Sequence, residues 1–289
     1  MNALQALTAQ GQAAWLDYIE RDFVRGGALG ALVAAGEVRG VTSNPAIFAQ
    51  AIATSAAYRP ALHAAVERGL TPEQCYEELA CSDVRDTADL LRTVFDRSAG
   101  SDGFVSLEVS PALADDTAAT IAAAERLCRA VDRPNLMIKV PGTTAGIAAI
   151  PALIAAGINL NVTLLFGRGA YRSVAEAWMN GLEMRRAAGA PLGSVASVAS
   201  FFVSRIDTHI DALLTDCATR EPALAKRCAA LAGRVAIANA RLAYRDFQRL
   251  TTSPRWHALA LRGRNRSACC GRAPAPNRRI IAMWSMSKS

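Results

Sequence analysis

Histidine is scarce in this chain: three residues, His63, His209 and His257, lie scattered along it and read as surface residues. The seven cysteines (75, 81, 128, 217, 228, 269 and 270) show no repeated metal-type spacing. An odd number of cysteines behind no secretory signal fits a reducing cytoplasm, and adjacent Cys269 and Cys270 do not suit an ordinary disulfide. The opening MNALQALTAQGQAAWLDYIER has neither the basic start nor the continuous apolar run of a secretory signal. A Gly-rich phosphate fingerprint is also missing, which argues against a doubly wound nucleotide-binding sheet. Charge is absent from Val140 to Gly167. Pro141, Gly142, Pro151, Gly157, Asn159 and Asn161 break that run, so a helix, a turn and a short buried strand explain it better than a membrane span.

Acidic residues are absent from one further place, the tail Arg262–Ser289, which holds six arginines and one lysine. The rest of the chain balances 25 basic against 25 acidic residues. The net charge of +7 therefore belongs to the tail and is not a property of the folded body. A basic balance ordinarily points to nucleic acid or an anionic surface, but here neither a nucleic acid nor a membrane is expected as a partner of the body.

Apolar residues make up 52% of the 289 and charged residues 20%, ample for a large core in one domain. Residues 1–263 alternate short apolar stretches with amphipathic helical ones. The expected strands are Ala14–Tyr18, Gly40–Ser43, Phe104–Val109, Leu136–Val140, Leu160–Phe166 and Val195–Ser200. Between them lie helical stretches such as residues 115–131, with Asp115 or Asp116 as cap, and 167–188; Gly157 suits a helix end. Such alternation implies parallel pairing with right-handed crossovers. Asp17, Asn44, Glu108, Lys139, Asn161, Thr163 and Ser200 all fall toward the carboxyl ends of these strands, the rim where β/α barrels build their sites. An α/β fold of the (β/α)8 TIM-barrel type is expected, lacking its last two strands.

The segment NLMIKVP, residues 135–141, sets Lys139 between Ile138 and Val140. An ammonium inside a buried strand is costly, so either it reaches water or its acidity is tuned for a purpose. A neutral lysine amine attacks carbonyls, and the resulting iminium draws electrons from a neighbouring carbon and permits carbon–carbon cleavage. Asp17 and Glu108 suit the proton transfers; Asn44, Asn161, Thr163 and Ser200 suit holding a polyol and a water.

At these positions the chain resembles the transaldolases. The similar segments are WLDYIER (15–21), GVTSNPAIF (40–48), VSLEVSP (105–111), NLMIKVPGT (135–143), GINLNVTLLF (157–166) and ASVASFFVSRID (196–207), in the family's order. The resemblance implies Lys139 as Schiff-base nucleophile and Asp17 as acid/base at the hydroxyl where the bond breaks. It implies Glu108 and Thr163 as holders of the catalytic water. Asn44, Asn161 and Ser200 would bind the dihydroxyacetone part, Phe202 would shape the pocket, and Arg205 would face the substrate phosphate. Arg205 has an alternative in an ion pair with Asp207 or Asp211 on a helix face. The implied partners are sedoheptulose 7-phosphate or fructose 6-phosphate as donors and erythrose 4-phosphate or glyceraldehyde 3-phosphate as acceptors. The implied setting is the cytoplasmic pentose phosphate pathway, with no metal or organic cofactor.

The resemblance stops near Gly263. Where the family continues with a strand like LLWAST, this chain has RNRSACCGRAPAPNRRIIAMWSMSKS, residues 264–289, which looks like neither helix nor strand. Shifting the reading frame by one base from Arg264 permits QPQRLLWASTGTKPPDYRDVEYVEE, so the tail reads as out of frame. The coding DNA decides this: third bases that do not spell the alternative end the idea. Six strands leave two sheet edges and an uncovered interior, so aggregation and weak activity are expected. Two other readings remain: a non-catalytic fragment, and a Schiff-base aldolase that releases free dihydroxyacetone.

Overall fold

The computed structural model describes residues 2–265. The strands are β1 (Trp15–Asp17), β2 (Gly40–Thr42), β3 (Val105–Glu108), β4 (Leu136–Pro141), β5 (Leu160–Leu165) and β6 (Ser197–Phe201). They pair in sequence order, all parallel, as one curled half-barrel in which β1 and β6 are the edges among the described residues. Helices follow each strand on the outer face, as right-handed crossovers require.

Alternation along the strands divides the core in two. From β4, Leu136, Ile138 and Val140 enter a large cluster shared with the helices Thr144–Ala156 and Arg168–Ala187. Ile150, Leu153 and Ile154 from the first of these are fully buried, and each contributes about 1.5–3 kcal/mol of burial. Met137 points the other way and joins Phe104, Ala196 and Val198, with Trp15 packed against them, in a small cluster on the concave face. Gly40 makes room for that floor, since a Cβ there would lie 2.4 Å from the Trp15 indole.

The apolar run after Val140 folds as expected into helix, turn and strand, with Gly157 closing the helix at φ 90°. Pro151, expected as an interruption, sits inside that helix instead. The proline forfeits only one internal hydrogen bond, and the fully buried residues around it outweigh that loss. Asp116 is the capping acid of Thr117–Val131, accepting from the Ala119 amide at 2.9 Å. The last described helix, Pro254–Asn265, is pinned by Arg255 to Glu183 at 2.7 Å and by Trp256 against Trp178, ring centroids 5.2 Å apart. It runs past Gly263, where the tail was expected to begin; helix ends read from sequence carry that latitude. The rest of the expected tail, residues 266–289, lies outside the described residues.

Candidate active site at the strand rim

Lys139 is 8% exposed. It neither reaches bulk water nor stands unpaired, because its Nζ lies 3.0 Å from Glu108 Oε2 and donates to the Ser43 carbonyl at 3.0 Å. The register explains the pairing. Glu108 faces Lys139 across β3 and β4, and Lys139 faces Asn161 across β4 and β5, so the three form one row on the concave face.

A second set of bonds runs along the rim. The Asn161 Nδ2 donates to Ser106 Oγ at 3.0 Å, and Ser200 Oγ donates to Asn161 Oδ1 at 2.7 Å. Ser43 Oγ donates to the Ser106 carbonyl at 3.4 Å. Thr163 is buried two residues beyond Asn161 on the same face. Just after it the β5–β6 register shifts, and Leu164 takes a left-handed φ of 63°. That irregularity turns Leu164 and Phe166 outward, and Phe166 stacks on Phe202 at 5.0 Å. The Arg205 guanidinium lies 4.7 Å over the other ring, Phe202.

Of the two partners considered for Arg205, Asp207 accepts from the Ala236 amide and Asp211 from the Gly233 amide. Among the described residues Arg205 forms no ion pair within salt-bridge distance, and its charge acts on Asp17 instead. The Asn44 side-chain oxygen caps the helix Pro45–Thr54 by accepting from the Ile47 amide at 3.0 Å, with Pro45 at the first helical position.

Burial pushes the Glu108 carboxyl above its ordinary value, against the pull of the Lys139 charge. Asp17 ends β1 with its side chain open to solvent on the concave side, yet the surrounding atoms also push its carboxyl up, against Lys139 and Arg205. Burial and the Glu108 charge push the Tyr76 phenol up to about 12. The sign for stability follows. A carboxyl held above its unfolded value favours the folded state fully below that value, and the contribution disappears as pH rises through the folded one. Stability measured by urea unfolding is therefore expected to decline as pH climbs from the ordinary 4.5 of Glu108 through its raised value, and Glu108→Gln is expected to flatten that decline. An unchanged slope in the variant would assign the decline to other groups.

Of the residues singled out from the sequence, Lys139, Glu108, Asn161, Thr163 and Ser200 lie on the strands and Asp17 at the end of β1, on the concave side, whereas Asn44, Phe202 and Arg205 lie on the segments that follow β2 and β6. The sequence reading missed Ser43, Ser106 and Tyr76. Ser106 sits two residues before Glu108 and faces the same way, a signal that strand alternation offered. The three histidines are exposed, and Cys75, Cys81, Cys128, Cys217 and Cys228 are free thiols.

A half-barrel with an ion-paired lysine sunk among carboxylates and amides at its rim defines an enzyme of the β/α-barrel class. The model of the Transaldolase/Fructose-6-phosphate aldolase family matches residues 14–264. The transaldolase of Thermobifida fusca is 48% identical over 260 residues, covering 90% of this chain and 69% of that protein. That of Frankia alni is 47% identical over 262 residues (91% and 69%), and that of Thiobacillus denitrificans 45% over 263 (91% and 72%). The chain belongs to the transaldolase/fructose-6-phosphate aldolase family. Among the described residues no helix is long and apolar enough to cross a membrane.

Proposed function

We propose that this chain transfers a dihydroxyacetone unit between sugar phosphates through a Schiff base at Lys139, the chemistry of the pentose phosphate pathway. The observation that carries the reading is the buried Lys139 ammonium, 3.0 Å from the Glu108 carboxylate. That carboxylate is near enough to receive the proton whose loss frees the amine. The amine adds to the ketose carbonyl, and loss of water gives the iminium. Asp17 takes the proton of the neighbouring hydroxyl as the carbon–carbon bond breaks, and the electron pair moves into the iminium to leave an enamine. The aldehyde departs, the enamine adds to an acceptor aldehyde, and water held by Glu108 and Thr163 hydrolyses the new imine. Asn44, Asn161 and Ser200 bind the three-carbon part beside Phe202, and Arg205 takes the phosphate. The donors are sedoheptulose 7-phosphate or fructose 6-phosphate; the acceptors are erythrose 4-phosphate or glyceraldehyde 3-phosphate. The barrel domain takes in residues 1–263 and the end of the helix that runs to Asn265, and the setting is the cytoplasm.

The family description also names an aldolase, which would release dihydroxyacetone into solution. The three relatives described above, each called a transaldolase, favour transfer. Incubation with fructose 6-phosphate, borohydride reduction and peptide mass spectrometry are expected to give a three-carbon adduct on the peptide holding NLMIKVP. Product appearing only with an acceptor aldehyde supports transfer; free dihydroxyacetone without one supports the aldolase; no adduct at Lys139 ends both.

A further inference from the structure

Ser106 has no role in the reading above, yet it is bonded on two sides at the rim. It is wholly buried in the middle of β3. Its hydroxyl oxygen accepts from Asn161 Nδ2 at 3.0 Å, and its carbonyl accepts from Ser43 Oγ at 3.4 Å. Ser43 in turn offers its own carbonyl to Lys139 Nζ at 3.0 Å. Ser106 therefore links the lysine-bearing part of the rim to the amide-bearing part by side-chain bonds spanning β2 to β6.

An asparagine amide presents a donor at one end and an acceptor at the other, and a half-turn about its last side-chain bond exchanges them. Ser106 and Ser200 grip the two ends of Asn161. Asn161 is itself fully buried and stands beside Lys139 in the register, so a molecule attached to Lys139 lies against this amide. We propose that Ser106 is a positioning residue for Schiff-base chemistry at Lys139, acting through Asn161 by holding its amide, together with Ser200, in place beside the bound three-carbon unit. This rests on the function proposed above. With Ser106 lacking its hydroxyl, the Nδ2 loses that acceptor and the amide is held less firmly.

The test has a kinetic and a ligand-free arm. In the first, kcat/KM for transfer is measured for the full chain, Ser106→Ala, Asn161→Ala and the double variant. Ser106→Ala is expected to lose about tenfold to a hundredfold, Ser106→Cys less because the thiol keeps the bulk and remains a weak acceptor, and the double variant no more than Asn161→Ala alone. Losses that multiply would overturn the proposal, because Ser106 would then act independently of Asn161. In the second arm, NMR follows hydrogen exchange of the Asn161 side-chain amide without substrate. Exchange at least about tenfold faster in Ser106→Ala, with the β3 backbone amides unchanged, is expected; unchanged side-chain exchange would overturn the proposal. Should Ser106→Ala not fold, Ser106→Gly, which also lacks the hydroxyl, takes its place in both arms. A wild-type chain that forms no adduct ends the functional reading alone, and the exchange arm then decides whether Ser106 sets the amide.

Discussion

Replacing Lys139 by methionine is expected to abolish the borohydride-trapped adduct and to lower transfer by at least about a thousandfold, since no other group supplies the covalent step. Methionine fills nearly the same volume, so the loss is chemical and not a matter of packing. The variant also leaves Glu108, whose side chain is 14% exposed, without its countercharge. The carboxyl then rises further, so the variant is expected to be less stable than the parent by about 1–3 kcal/mol near neutral pH and to recover part of this at acid pH, where the carboxyl is protonated. Adding Glu108→Gln removes the stranded charge. The double variant is expected to regain the stability and none of the activity. Transfer retained within about tenfold in Lys139→Met would end the Schiff-base reading.

The largest effect on stability is expected at a buried ion pair that the proposed chemistry does not use. Arg21, 5% exposed, pairs through Nε with Asp83 Oδ1 at 2.9 Å, and Asp83 is 1% exposed. The Arg21 guanidinium also lies 4.5 Å over the Tyr58 ring, and the Arg21 amide donates to the Tyr58 hydroxyl at 3.0 Å. Asp83→Ala leaves a guanidinium buried without its partner. Arginine cannot escape the cost by releasing its proton, so the loss is expected to be about 3–5 kcal/mol in urea unfolding. The paired replacement Arg21→Met with Asp83→Leu removes both charges and is expected to be far milder. A loss below about 1 kcal/mol in Asp83→Ala would mean that Arg21 swings into water. The pair matters to the site because the helix Arg21–Arg25 begins four residues after Asp17 and the pair fastens it to the helix Pro72–Arg97.

Much of this architecture was readable in the chain because it is written locally. Each of the six strands is a short, largely apolar stretch, and its two ends fall within two residues of those expected. The rim residues were found because a charge or amide stands out against such a stretch, Lys139 between Ile138 and Val140 most of all. What escaped depends on distance along the chain. Lys139 meets Ser43 across a separation of 96 residues and Asn161 meets Ser106 across 55. A serine in a strand carries no mark of such a partner. The capping role of Asn44 was also missed, although Asn followed by Pro is a common helix start. Arg205 went unresolved for a related reason: both acids near it in sequence are taken by backbone amides from a later helix and turn.

The row Glu108, Lys139, Asn161 acts as a ruler. Neighbouring strands in any sheet are separated by about 4.8 Å, a distance set by the peptide hydrogen bond and not by side chains. Under the proposed chemistry, a carbon joined to Lys139 would have Glu108 on one neighbouring strand and the Asn161 amide on the other, with the strand spacing set by the backbone. Loop insertions can widen or roof such a site without altering those intervals. A slip of one residue between β3 and β4 or between β4 and β5 would abolish them at once.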